Sequence, residues 1–348
     1  MRNYRRSISI AFSVGVLLGA GACSEQAQAD AAVDLGGGSP PPADPCGFAN
    51  QAESKVSSAS ELTAALSSAQ PGTLIRLAPG TYAGNFKATT SGSADRPIVL
   101  CGPREAVLDG GSTASGYVVY LNKVSGWILS GFAVTRGQKG VVLDESNDNL
   151  LSNLLVHDIG QEAVHFRKFS SRNTISYSQI RDTGKDSPGF GEGVYMGSAV
   201  SNWKTFTGAS DLPDRCDGNK AIKNAFGPGI TAEHIDIKEG TTGGEIRGNT
   251  FNGVGISGAN SADSWIDVKG SGYQIADNIG TDSPMDGFQT HVAVTGWGND
   301  NVFSGNVASV NGPGVGFLIA TASQGNVVKC DNVVSSAAAG FANVACTP

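Results

Sequence analysis

Two lysines, Lys238 and Lys269, stand in short runs where apolar and polar residues alternate, and each has acids beside it. Glu233, Asp236 and Glu239 surround the first, and Asp267 precedes the second by two places. In a strand, Ile235 and Ile237 point one way while Asp236 and Lys238 point the other, so an acid and a base share a face. Cations among carboxylates suit an acidic polymer, whose own carboxylates need partners. They also suit proton abstraction beside a carboxylate. That carbon acid reacts only once the carboxylate's charge is neutralised, by a cationic side chain or by a hard ion such as Ca2+ held by carboxylates. The base must be a neutral amine, imidazole or phenolate. The acids around Lys238 raise its pKa unless a metal takes up their charge.

Single strands do not bring such residues together; a stack of them does. An apolar residue followed three places later by Gly, Asn or Ser recurs as Ile128/Gly131, Leu150/Asn153, Ile175/Ser178, Ile246/Asn249, Ile275/Asn278 and Phe303/Asn306. Units of this length, β-rich and cut by Gly, Asn and Asp, bury their apolar faces only against neighbouring copies. The expected fold is therefore all-β, a right-handed parallel β-helix, with asparagines hydrogen-bonding from coil to coil at one corner.

Five segments then align: EAVHFR (162–167), EGVYMG (192–197), EHIDIK (233–238), WIDVKG (265–270) and DGFQTH (286–291). Inward positions come out apolar nearly throughout. One outward column reads Arg167, Gly197, Lys238, Lys269, His291, and its neighbour His165, Tyr195, Asp236, Asp267, Gln289. Glu162, Glu192, Glu233 and Asp286 lead the strands, with Asp263 near the same level. This predicts an exposed strip with Lys238 as base and Lys269 as acid, and with Ca2+ at Glu233 together with Asp236 or Glu192. Arg167, His165, Tyr195, Asp267 and His291 would bind substrate, Arg167 and His165 either directly or paired to Glu162. Trp203, in the inserted loop 201–221, either walls the groove and stacks on a sugar or covers the loop's own core. Trp297 reads as turn packing, and His157 and His234 as structural.

The phrase LIRLAPGTYAG (74–84) resembles right-handed parallel β-helix proteins of the pectin-lyase-like group. Glu233, Lys238 and Asn249-Thr250-Phe251 resemble more narrowly the alginate lyases and chondroitinase B-type lyases. That resemblance implies Glu233 as a Ca2+ ligand, Lys238 as base and the outward residue one coil later as acid. This chain has Lys269 at that place, where those enzymes have Arg, and Glu239 where they usually have Ser. A polysaccharide lyase acting on a uronate polymer is the leading expectation. Other readings stay open: a glycoside hydrolase using Asp236 and Asp267, which adjacent coils bring about 5 Å apart as in a retaining pair; an epimerase sharing the proton abstraction; or a surface protein that only binds glycan.

The rest of the chain gives the setting. Its 348 residues are 40% hydrophobic and 16% charged with a net charge of −7, enough for a large core and a poor match to nucleic acid. Arg2, Arg5 and Arg6 before an apolar run mark residues 1–22 as an export signal. LLGAGAC resembles a lipoprotein signal with Cys23 lipidated, though Ala20 stands where Leu is commonest; AQA (27–29) offers an ordinary cleavage site instead. The expected location is secreted or anchored at the cell surface or outer membrane, with membrane contact only through that lipid and the protein a monomer. A linker (23–45) leads into the β-helix domain (46–348). A capping box at Ser58 and Glu61 predicts a short helix from Ser58 to Ala69 that covers the first coil, with coils starting near Ile75. Cys46 with Cys101 and Cys330 with Cys346 are the expected staples, leaving Cys216.

Overall fold

In the computed structural model, residues 40–41, 43–48 and 52–348 are described. The expected export signal, Cys23 and most of the expected linker lie outside them. Strands of two to six residues wind into coils, each contributing one strand to each of three parallel sheets of eleven, ten and ten strands. The fold is a parallel β-helix.

Sequence dictates this coil by coil. Alternation turns one residue set inward, and the third sheet stacks Val164, Val194, Ile235, Ile266 and Phe288 in register, all fully buried. Aromatic stacking continues the column at the C-terminal end, where Phe288 and Phe317 lie 5.0 Å apart and nearly parallel. The core is a continuous apolar column running the length of the described coils.

Corners carry the amides. Asn224, Asn249, Asn278, Asn306 and Asn332 form a ladder, each Nδ2 donating to the next Oδ1 at 2.9–3.0 Å. Each Oδ1 also accepts the backbone N–H of the rung before it, so a buried corner leaves no peptide donor unmet. A second ladder, Asn149 to Asn173 to Asn219, runs at another corner and was not expected. Ser178 belongs to the first ladder, but Asn153 does not. Leu151, not Leu150, pairs with Ile175, which places Asn153 one residue out of register; it accepts a bond from Arg104 and takes a left-handed conformation.

The ends are closed as anticipated. Helix α1, Ala59–Ser68, buries Leu62, Ala65 and Leu66, with Ser58 capping Glu61 N–H and the Glu61 carboxylate accepting from Ser57 N–H at 2.7 Å. One strand precedes the expected start: Ala52–Val56 pairs with Thr73–Leu77. Disulfides join Cys46 to Cys101 and Cys330 to Cys346, and Cys216 is free and buried. Among the described residues no helix is long and apolar enough to cross a membrane.

Candidate active site

The third sheet aligns His165, Tyr195, Asp236, Asp267 and Gln289 as consecutive rungs, as the sequence columns have it. One place further, backbone bonds from Lys238 N–H to Met196 O, Lys269 N–H to Ile237 O and His291 N–H to Val268 O hold those side chains at a common level. Gly197 has φ +86° in this column, and a Cβ there would lie 2.6 Å from Thr241 Cγ2. Only a residue without Cβ leaves this rung clear beside Lys238.

The strip is not exposed. Asp236, Glu192, Glu233, Asp267, His165 and Arg167 are all buried, because three insertions cover the sheet. Helix α2, Val200–Thr207, forms one wall, its N-terminus held by Glu239, which accepts Val200 N–H at 2.6 Å. The short turns Pro188–Phe190 and Ala259–Ser261 form the other, joined by a bond from Asn260 Nδ2 to Gly189 O. Between the walls lies a cavity of about 610 Å³ reached by Glu192, Tyr195, Glu233, Asp236, Lys238, Asp267, Lys269 and His291. A second of about 260 Å³ adjoins it at Phe190, Tyr195 and Asn202, and contains Lys139, Glu162, His165, Arg167 and Phe206.

Asp236 is the electrostatic hub. Its Oδ2 lies 2.5 Å from Lys238 Nζ and its Oδ1 3.1 Å from Lys269 Nζ, and Lys269 also bonds Asp267. Burial disfavours the Lys238 ammonium, but Asp236, with Asp267 and Glu192 behind it, outweighs this and holds Lys238 above the ordinary lysine value. Lys269 is raised in the same way, burial again being overcome by Asp236 and Asp267. Burial likewise opposes the Asp236 carboxylate, and the two lysines reverse it and keep it ionised.

Glu233 is pushed up to about 8 by burial and by Asp236 and Asp267, and Glu192 well above the carboxylate range by burial and by Glu162, Asp236 and Glu233. Glu192, Glu233 and Asp236 bring oxygens within 4.8 Å of one another, and Glu192 Oε2 has no hydrogen-bond partner. Three converging hard oxygen donors, one unspent, fit a cation such as Ca2+.

Comparison with solved structures identifies the family. An alginate lyase from Paenibacillus sp. str. FPU-7 is 38% identical, matching 84% of this chain and 99% of its own, with a TM-score of 0.78. The chain belongs to the polysaccharide lyases. Pectate lyase Pel9A (16% identity, 81% of this chain, 72% of its own, TM-score 0.55) and a rhamnogalacturonan lyase (14%, 77%, 80%, 0.55) share the fold. No protein-family model and no curated protein sequence matches.

In the lyase, Lys238, Lys269, Tyr195, Asp267, His291, Glu192, Glu233 and Asp236 reach one cavity. His291, the most exposed of them, lies 2.7 Å from Gln289 Oε1 and 3.3 Å from Asp267. His165 and Arg167 fall in the second compartment. His165 donates Nε2–H to Gly197 O at 3.0 Å and stands edge-on to Tyr195.

Two expectations need correction. Arg167 pairs with Asp144, not Glu162, because Asp144 is its rung neighbour; Glu162 pairs with Lys139 and lies 3.4 Å from His165 Nδ1, as expected of His165. Trp203 does not face the groove: it is 3% exposed and donates Nε1–H to Ser198 O, packing α2 onto the sheet.

The Asn249-Thr250-Phe251 part of the sequence resemblance is structural. Asn249 is a ladder rung, and Phe251 stacks inside on His234. Lys139, Asp144, Phe190, Asn202 and Phe206 were missed. Aligning KGVVLD (139–144) with the other five segments sets Asp144 opposite Arg167 and exposes two of them.

Proposed function

We propose that this lyase cleaves a uronate-containing polysaccharide, alginate first, by β-elimination in the cavity over the third sheet. The observation that carries the reading is the pair of lysines converging on one buried carboxylate, in a chain 38% identical to an alginate lyase. As base, Lys238 must first lose its ammonium proton to solvent, and with it the ion pair to Asp236, before its neutral amine takes the proton beside the uronate carboxylate. Lys269, already 3.1 Å from the other oxygen, can keep Asp236 neutralised. Lys269 also stands one rung on, where it can protonate the departing glycosidic oxygen. A Ca2+ ion held by Glu192, Glu233 and Asp236 would supply positive charge beside the substrate carboxylate and acidify the neighbouring C–H. The hydrolase alternative loses its footing, since Asp236 and Asp267 are both engaged by Lys269.

One observation favours a second assignment on the same reaction. Lys238 is held charged, which suits a proton donor, and its Nζ lies 4.8 Å from the ring centre of Tyr195, a phenol in the same cavity. In that assignment Tyr195 takes the proton as a phenolate, having first lost its own to solvent against the burial and the acids Asp236 and Glu192 that hold it protonated, and Lys238 returns one to the leaving oxygen. Tyr195→Phe separates the two. It costs about 10²–10⁴ in kcat if the phenol is the base and about tenfold or less if Lys238 is.

Incubating the protein with alginate, pectate and chondroitin or dermatan sulfate, with and without chelator, tests the reaction itself. Rising ultraviolet absorbance from an unsaturated product is expected on alginate. Hydrolysis alone, or no turnover on any acidic polymer, would overturn the reading.

We place the mature lyase outside the cytoplasm, tethered through Cys23, a location that two disulfides and the signal-like leader support. Globomycin-sensitive processing and palmitate labelling are expected; an unlabelled mature protein excludes the anchor.

A further inference from the structure

The second compartment holds a guanidinium that is fixed but not spent. Arg167 donates Nε–H to Asp144 Oδ1 at 2.6 Å, and its Nη2 reaches Asp144 Oδ2 at 3.3 Å and Tyr117 OH at 3.1 Å. The rings of Tyr117 and Phe206 pack against it, their centres 5.1 and 5.0 Å from Cζ. Its Nη1 makes no hydrogen bond within the described residues, while the residue lines the compartment. A planar cation packed against two rings and clamped along one edge has lost its rotamer freedom already, so a ligand taking its free edge bears little ordering cost.

Charge points the same way. Asp144 divides its single negative charge between Arg167 and Lys168, whose Nζ lies 2.9 Å from Oδ2. Glu162 pairs with Lys139, and its other oxygen lies 3.4 Å from His165 Nδ1. Three cations therefore face two carboxylates here. The adjoining cavity sets Lys238 and Lys269 against Glu192, Glu233, Asp236 and Asp267, so it offers no surplus of cation. An anionic polymer lying along the rungs meets its favourable charge at Arg167.

We propose that the Arg167 compartment is a carboxylate-binding subsite for a uronate about two sugar residues from the one whose bond is cut. This rests on the lyase reading above. Arg167 stands two rungs from Lys238, about 10 Å at ordinary strand spacing, and a 1,4-linked pyranose advances by about one rung. The guanidinium edge takes the sugar's carboxylate, and the exposed ring of Phe190, at the junction of the two compartments, covers the chain between them.

The test is kcat/KM against length, using the full lyase and size-defined saturated oligouronates. Wild type should show a step upward once the chain is long enough to reach Arg167. Arg167→Gln should reduce that step by about tenfold to a hundredfold, through KM more than kcat. Because Arg167→Gln leaves Asp144 buried with Lys168 as its only cation, Asp144→Asn combined with Arg167→Gln removes the pair together and keeps the shape, leaving the partly exposed Lys168 to water. Loss of the step in whichever variant keeps the wild-type melting midpoint supports the subsite. An unchanged length dependence in that variant overturns it while leaving the lyase reading standing. A wild type that makes no unsaturated product from any oligomer defeats the lyase reading and takes the subsite with it.

Discussion

Lys238→Ala is the substitution on which the chemistry turns, and the structure sets the size of both its effects. Losing a proton-transfer group from the transition state costs about 10²–10⁴ in rate, whether Lys238 removes or returns the proton. The effect on stability is separate. Asp236 is 2% exposed, and removing its partner at 2.5 Å would ordinarily cost about 3–5 kcal/mol. Lys269 remains 3.1 Å from the other oxygen, so about 1–3 kcal/mol is expected, a drop of several degrees in melting midpoint.

Rates of unsaturated-product formation at saturating polymer, read alongside thermal denaturation of the same preparation, separate the two. Lys238→Arg sharpens the result. It keeps a charge beside Asp236 but gives a group that does not deprotonate, so it should be as inactive as alanine while melting near wild type. If Lys238→Ala keeps more than a tenth of the wild-type kcat, the residue takes no part in proton transfer and both assignments of the base collapse.

Asn249→Ala takes the acceptor from Asn224 N–H and one of the two acceptors from Asn224 Nδ2, and removes the donor to Ala221 O, in a fully buried corner, so a loss of about 2–4 kcal/mol is expected in urea unfolding; less than 1 kcal/mol would show the ladder to be dispensable. Calcium should raise the melting midpoint over that in chelator, by several degrees at a hundredfold excess over Kd, and Glu192→Gln should abolish the shift; an identical midpoint in both buffers removes the cation from the reading. Buried between Phe226 and Phe251, His234 is held down to about 3 by burial. The unfolded chain takes that proton near 6.5 and the folded one does not, so stability should be full above pH 6.5. It should fall as pH drops toward 3, by up to about 5 kcal/mol. His234→Phe should flatten that slope, and an unaltered acid limb would show that another group sets it.

What was legible in the sequence follows from what repeats. The columns through Tyr195, Asp236 and Asp267 came out in register because a strand period of two leaves no freedom: a slip of one residue would turn Ile235 and Ile237 out of the core. Asn249, Asn278 and Asn306 were found for the same reason. Asn153 was misplaced because Leu150 and Leu151 are both apolar, and the pattern alone cannot say which of them faces inward. The second ladder escaped notice because the unit was read from the apolar residue forward, and Asn149, Asn173 and Asn219 precede theirs. Burial of the strip was illegible, since the covering segments carry no period at all. Trp203 shows the consequence: an aromatic in an insertion reads equally well as sugar platform or as miniature core, and only its bond to Ser198 decides.

That cover changes what the columns do. On a bare sheet, acids and lysines alternating from rung to rung would be a solvated, salt-screened ladder whose ion pairs contribute little. Under α2 and the two turns, the same residues interact in a less polar space, which is why Glu233 rises to about 8 while Asp236, two residues away, stays ionised. The difference between those two carboxylates comes from position alone. Asp236 points at both ammonium groups, and Glu233 faces two carboxylates with only Lys269 to offset them. The repeat therefore supplies the alignment and the insertions supply the electrostatics. Glu239 is where they meet, because its carboxylate joins the N-terminus of α2 to the residue next to Lys238. Loosening that joint should admit water over Asp236 and weaken the hold on both lysines without moving a single rung of the stack.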